Sequence, residues 1–484
     1  MLFSSVIFLF YFFPIVLILY YLLSFSRLAQ NMLLFFASLF FYAWGELRYI
    51  LLLLASILAN TLFGYLVEIF RKKEEEDKNS DYKKWKQITL VFMCLFNLSF
   101  LFYYKYFTFV LKNISQFWDT DLVIPQIILP LGISFFTFQA ISYVVDVARG
   151  DAPAQKNPFY VGLYIAFFPQ LIAGPIVRYN SIAEQIKSRR STWDKLSVGC
   201  CRFVIGLAKK TLIANQMAIV ADHIYRLNNA TEVSVALAWI GSIAYTLQIY
   251  FDFSAYSDMA IGLGLMFGFK FEENFNYPYI SKSVTEFWRR WHISLTTWFK
   301  DYVYFPLGGS RVENKDIMIR NMLVVWVLTG VWHGAEWTFW MWGLLNFAVI
   351  FLERLFEVDK KSHNIFLRRV FTLFLVNLGW VLFRSENLLL AGNYISNMFG
   401  LNQNQLYSAE AGVFLREYWI YFIVAILFST PIARNMNQHL FYHPSKVITK
   451  LVSMCYPFVL LIIFFVCVSF LVKGSYNPFI YFNF

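Results

Sequence analysis

Runs of about 20 apolar residues recur from one end of this sequence to the other, and each is long enough to cross a hydrocarbon layer about 30 Å thick. A backbone in that layer must satisfy its own polar groups, so such segments are read as helices. They lie near 2–24, 29–44, 49–70, 88–110, 125–147, 157–177, 203–222, 234–268, 318–332, 335–353, 366–384, 416–432 and 451–473. The 234–268 stretch has the length of one tilted helix or of a broken one. The pattern predicts an all-α, polytopic integral membrane protein with roughly 11 transmembrane helices, plus re-entrant or interfacial segments that enter without crossing. No shift in composition marks off a soluble domain, so residues 1–484 are read as one transmembrane unit. The apolar start has no basic n-region and no small-residue cleavage site, and it is read as a first span.

Composition agrees. The chain is 59% hydrophobic and 15% charged, where a soluble chain carries about 25% charge. Its net charge of +11 does not point to nucleic acid, because the basic residues sit in short loops between apolar runs, where positive-inside sorting accounts for them. A basic cytoplasmic face also suits anionic membrane lipid or an anionic cosubstrate. Arg27 and the stretch Arg71 to Lys86, with seven Lys/Arg and five acids, mark that face and put the N-terminus outside. Residues 178–210 carry Arg178, Lys187, Arg189, Arg190, Lys195, Arg202, Lys209 and Lys210, interleaved with Trp193, Leu196 and Phe203. They read as an interfacial amphipathic segment. The five cysteines are odd in number and show no metal-type spacing, so they are read as packing residues.

Two places put chemistry-bearing residues where apolar ones are expected. Within 270–316, Ser283-Val284-Thr285-Glu286 has the pattern of a capping box. The Trp288, Trp291, Leu295 and Trp298 that follow recur at helical spacing and predict one amphipathic helix, with His292 beside its apolar face. Arg289 and Arg290 point elsewhere, toward headgroups or an anionic ligand. The same residues also fit an interfacial anchor helix with a snorkelling arginine pair. The second place is Gly330-Val331-Trp332-His333-Gly334, between two apolar runs. An ionisable group there is a functional candidate by default, and the flanking glycines permit close approach of backbone or substrate. The alternative is a neutral histidine hydrogen-bonded between helices. His223, His363, His439 and His443 lie near loops or span ends and read as interfacial. The run from Gln248 and Tyr250 through Asp252 to Asp258 is rich in hydrogen-bonding groups, either lining a wet cavity or joining helix to helix. No Walker loop, metal-ligand cluster or Gly-x-Ser-x-Gly elbow occurs. The two histidines remain, and imidazole is well suited to proton transfer near neutral pH.

At these residues the sequence resembles the membrane-bound O-acyltransferase family. The resemblance rests on Glu286-Phe287-Trp288-Arg289-Arg290-Trp291-His292-Ile293-Ser294-Leu295, on Val331-Trp332-His333-Gly334, and on Tyr250-Phe251-Asp252-Phe253-Ser254-Ala255-Tyr256-Ser257-Asp258-Met259-Ala260. Leu129-Pro130-Leu131-Gly132-Ile133-Ser134-Phe135, Ile172-Ala173-Gly174-Pro175 and the ending Tyr476 to Phe482 also carry it. The most similar branch is the bacterial one that O-acetylates polysaccharides such as alginate or peptidoglycan. The resemblance implies spans around a central tunnel in the bacterial inner membrane, with His333 as the catalytic histidine and His292 as the second active-site position. Trp332, Gly334, Trp288, Arg289, Arg290, Asp252, Gln248 and Tyr250 are then expected to line the tunnel or touch substrate. No bound cofactor or metal is implied. The donor would be acetyl-CoA or an acyl carrier, and the partner a separate extracytoplasmic polysaccharide O-acetyltransferase. The reading from a different class is a transporter or flippase with a polar intramembrane pathway, for which the repeated half common in such folds is not seen.

Overall fold

The computed structural model describes residues 1–77, 80–230, 233–312, 314–358, 364–441, 445–474 and 476–480. Every regular element among them is helical. Six stretches are long and apolar enough to cross a membrane: Arg27–Glu76, Asp81–Trp118, Trp337–Leu355, Ile365–Arg384, Ala409–Phe428 and Val447–Lys473. These stretches, found among the described residues, do not fix the number of spans, since Arg27–Glu76 alone is 50 residues long and holds the expected 29–44 and 49–70 runs, while other apolar runs do not form single long helices. The 125–147 run stays non-helical through Pro130 and becomes helical only over Ile133–Arg149, after Gly132 turns the chain with φ +75°. The 157–177 run splits at Phe167 into Pro158–Ala166 and Phe168–Leu171. Each piece has a proline in its first turn, where the missing N–H is no loss. The 234–268 run, in contrast, is one unbroken helix, Val235–Met266.

Contacts divide the chain into two compact units: Met1–Arg202 with Ala260–Glu272, and Phe203–Met259 with Glu273–Phe484. In the first, helices Ile50–Glu76 and Ser80–Leu101 are joined by a buried pair of amides. Asn60 Nδ2 donates to Asn97 Oδ1 at 3.0 Å and Asn97 Nδ2 returns the bond to Asn60 Oδ1 at 2.8 Å. Polar side chains that satisfy one another in this way tie apolar helices together. Arg189 does not belong to an interfacial face, as expected from its neighbours. It is buried, with Nε on the Tyr20 hydroxyl and the Phe267 carbonyl at 3.0 Å each and Nη1 on Asn31 Oδ1 at 2.6 Å.

In the second unit the basic segment also departs from the interfacial reading. A π-helical turn, Lys209–Ala214, carries two successive lysines to carboxylates of the Val235–Met266 helix. Lys209 Nζ is 2.6 Å from Asp258 Oδ2, and Lys210 Nζ is 2.5 Å from Asp252 Oδ1. The second pair is almost fully buried, with side-chain exposures of 4% and 1%. Lys210 also donates to the Pro478 carbonyl, and Asp252 Oδ2 accepts the Ile480 N–H at 2.8 Å. A buried lysine needs such a carboxylate, because its desolvation cost is otherwise unmet.

Candidate active site

The segment between the Val235–Met266 helix and the apolar helices that follow builds one half of the site. Ser283 caps the helix Val284–Arg290, its Oγ accepting the Glu286 N–H at 3.0 Å. The Glu286 carboxylate reaches back to the Lys282 N–H at 3.0 Å and pairs with Arg290 at 2.8 Å. Partial burial pushes its carboxyl up, but these two partners outweigh burial and hold its pKa below the ordinary value. The first turn has a second cap from another helix. Glu353 accepts the Val284 N–H at 2.6 Å, the Thr285 N–H at 2.9 Å and the Thr285 hydroxyl at 2.7 Å. A carboxylate on the free N–H groups of a helix start is favoured by their partial positive charge. Glu353→Gln, which cannot serve both N–H groups equally, is expected to lower stability by about 1–2 kcal/mol. An unchanged thermal midpoint in nanodiscs would show that this cap is dispensable.

The helix expected to run on to Trp298 does not do so. It ends at Arg290, Trp291 is extended, His292 is left-handed with φ 44° and ψ 53°, and a new helix covers Ile293–Phe299. The break is imposed by a strand-like stretch upstream, where the Asn276 N–H bonds to the Arg290 carbonyl and the Ile293 N–H to the Asn274 carbonyl, both at 2.9 Å. A histidine at positive φ costs free energy and persists only where its surroundings hold it. Trp288, Trp291, Leu295 and Trp298 are all buried, but on two short helices, and His292 sits at the corner between them.

That corner is enclosed. His292 is 2% exposed and its Nδ1 lies 3.2 Å from Asn274 Oδ1. The same oxygen accepts the Ser294 N–H at 3.1 Å and the Ser294 hydroxyl at 2.9 Å, while Asn274 Nδ2 donates to Ser257 Oγ at 3.0 Å. Nε2 of His292 has no hydrogen-bond partner among the described residues.

His333 forms the other half. It is the last residue of the helix Lys315–His333, and Gly334 leaves that helix with φ −165°. The chain then folds back as Trp337–Leu355, packed closely on the helix before it. Two glycines set the spacing: a Cβ on Gly330 would lie 2.5 Å from the Phe339 carbonyl oxygen, and one on Gly343 would lie 2.5 Å from that of Trp326. Small residues permit this kind of backbone approach. Gly343→Val is therefore expected to push the two helices apart at a cost of about 1–3 kcal/mol, seen as a lowered midpoint together with reduced turnover. A midpoint equal to wild type would refute the close contact. Gly334 is similarly confined, since a Cβ there would overlap the Phe339 ring.

His333 is 9% exposed. Its ring meets Trp332 at 4.9 Å, Phe383 at 5.0 Å and Trp342 at 5.1 Å, each nearly edge-on. The Trp332 indole also meets His292 edge-on at 6.2 Å. One indole thus touches both imidazoles, which arrive from different helices more than 40 positions apart in sequence. Trp342 also lines a narrow cleft of about 10 Å³ with Phe287, Trp288, Asn346, Val376 and Trp380. Trp288 is fixed there by its indole N–H, which donates to Asn346 Oδ1 at 2.9 Å.

The remaining expected residues are placed unequally. Tyr250 is buried against Phe275, Tyr279 and Trp291. Gln248 is buried with Oε1 unpartnered among the described residues. Asp252 is engaged by Lys210 and the Ile480 N–H. Arg290 is bound to Glu286 and to the Asn276 carbonyl, while Arg289 is exposed. Among the other histidines, His223 pairs with Glu410 at 3.0 Å in a half-exposed position, and His439 is exposed. His363 and His443 lie outside the described residues. All five cysteines are unbridged. Asn274, Ser257, Ser294 and Glu353 were not singled out from sequence. Ser257 and Ser294 lay only within longer noted runs, the polar run to Asp258 and the motif from Glu286 to Leu295.

Among the described residues, all-helical architecture with membrane-length apolar helices defines a multi-pass membrane protein, and two buried histidines meet one indole inside it. The chain belongs to the membrane-bound O-acyltransferase family, whose model matches residues 36–358. It is 43% identical over 439 residues to the "Probable alginate O-acetylase AlgI" of Azotobacter vinelandii, covering 88% of this chain and 85% of the relative. It is 44% identical over 411 residues to the protein of that name in Pseudomonas aeruginosa, covering 84% and 76%. It is 34% identical over 533 residues to the "Peptidoglycan O-acetyltransferase" of Helicobacter pylori, covering 100% and 98%. The chain is an O-acyltransferase, which displaces the transporter reading.

Proposed function

We propose that the protein takes acetyl groups from a cytoplasmic thioester, acetyl-CoA or an acyl carrier, and passes them across the bacterial inner membrane for O-acetylation of a cell-envelope polysaccharide. The contact of one indole, Trp332, with both His292 and His333 carries this reading, because it joins two residues of the type suited to moving a proton near neutral pH. The relatives named for alginate and for peptidoglycan supply the class of acceptor.

In this reading His333 is the general base. It takes the proton of an acceptor hydroxyl, the hydroxyl oxygen bonds to the thioester carbonyl carbon, and the carbon–sulfur bond breaks. The proton then passes to the departing thiolate, giving free thiol and an O-acetyl ester. His292 orients the donor or relays that proton. The tryptophans around His333 exclude water that would otherwise hydrolyse the thioester. The acceptor hydroxyl belongs to, or is served by, a separate extracytoplasmic transferase that modifies the polymer.

Ester-linked acetate in the wall and in exopolysaccharide of a deletion strain tests the proposal. One fraction is expected to lose its acetate and to regain it with the wild-type gene but not with His333→Ala. Unchanged acetate in both fractions would overturn it.

A further inference from the structure

We infer that Asn274 is a positioning residue that holds His292 in its Nδ1–H tautomer, so that Nε2 carries the lone pair used in the site. The inference rests on the reading of His292 as an active-site residue. The argument follows the hydrogen-bond inventory of one side chain. An amide offers two donors on nitrogen and two lone pairs on oxygen. Asn274 Nδ2 donates to Ser257 Oγ at 3.0 Å. Its Oδ1 accepts from the Ser294 N–H, a group that can only donate, at 3.1 Å. This assigns Oδ1 as the oxygen, which the Ser294 hydroxyl also donates to at 2.9 Å; a bare imidazole nitrogen 3.2 Å away would set two acceptors face to face, so the ring nitrogen is assigned as a donor sharing that oxygen with the Ser294 groups. Nδ1 therefore carries the proton. In a neutral imidazole the other nitrogen is then a bare acceptor, and Nε2 is the atom left without a partner among the described residues.

The arrangement is fixed from several sides. Asn274 is 1% exposed. Its own carbonyl accepts the Ile293 N–H at 2.9 Å, so one residue both creates the left-handed corner at His292 and orients the ring displayed there. Ser257, on the Val235–Met266 helix, anchors the amide from behind. A buried acceptor with nothing bound to it costs about 1–3 kcal/mol, and such orphans mark places where a substrate group or a transferred proton is met. With the opposite tautomer, Nε2 would be a donor and unable to take a proton.

The tautomer is read directly from nitrogen spectra of [15N]histidine-labelled full-length protein in nanodiscs, with the His292 signals assigned by their loss in His292→Gln. Wild type is expected to show a protonated Nδ1 and an unprotonated Nε2. Asn274→Leu, which removes the acceptor at similar volume, is expected to shift His292 toward the Nε2–H form. It should also lower kcat with acetyl-CoA on the order of a hundredfold, with KM little changed, as loss of a ring-orienting partner does elsewhere. Asn274→Asp keeps the accepting oxygen and is expected to retain the wild-type tautomer. Should Asn274→Leu fail to fold, the wild-type and Asn274→Asp spectra still decide. A wild-type His292 found as Nε2–H, or an Asn274→Leu protein with unaltered tautomer and kcat, would overturn the inference. Failure of the underlying reading looks different: His292→Ala would keep full turnover while the nitrogen spectra behave as described.

Discussion

Purified protein carrying His333→Ala is expected to lose acetyl transfer by about 10²–10⁴-fold, the range over which a positioned general base contributes. The loss is expected in kcat, with binding of the thioester donor largely kept, because the donor's remote groups do not depend on the imidazole. Truncation also opens space within the Trp332, Trp342 and Phe383 rings, and removal of a buried ring is destabilising in its own right. His333→Gln separates the two effects. It keeps most of the volume and a polar tip, so its thermal midpoint should lie nearer wild type while turnover stays as low as in the alanine variant. Full turnover in both variants would remove His333 from the chemistry.

The second large effect concerns folding. Lys210→Met leaves the Asp252 carboxylate buried at 1% exposure without its cation, and loss of one partner of a buried pair costs about 3–5 kcal/mol. The Lys210→Met protein is expected to be poorly recovered in detergent or to melt far below wild type. The double variant Lys210→Met/Asp252→Asn no longer buries an unmatched charge and retains an acceptor for the Ile480 N–H, so it should regain much of the loss. Equal midpoints for wild type and the single variant would show that the pair carries little of the stability.

The parts legible in the sequence are those fixed by local pattern. Apolar runs of membrane length announce helices because a bilayer offers the backbone no other partner. The Ser283 cap is readable because its partner, the Glu286 N–H, is three residues away. The site itself is non-local. The continuous helix through His292 fails because Asn274 and Asn276 take the backbone partners of Ile293 and Arg290, and no periodicity within 283–298 records that competition. Lys209 and Lys210 look interfacial beside the other basic residues, yet their carboxylates arrive from the Val235–Met266 helix. His333 stood out for a different reason: an ionisable residue between glycines in an apolar setting is conspicuous without any knowledge of its neighbours. Its aromatic cage, drawn from Trp342 and Phe383 on two later helices, was not.

The most direct measurement of the central claim uses sealed proteoliposomes of wild-type protein with radiolabelled acetyl-CoA supplied on one face only and a soluble polysaccharide O-acetyltransferase with its glycan on the other. The account predicts ester-linked label on the glycan of the far compartment, dependent on His333 and absent when donor is added to the acceptor side alone. Label confined to the donor's compartment, or crossing undiminished with His333→Gln, would contradict it.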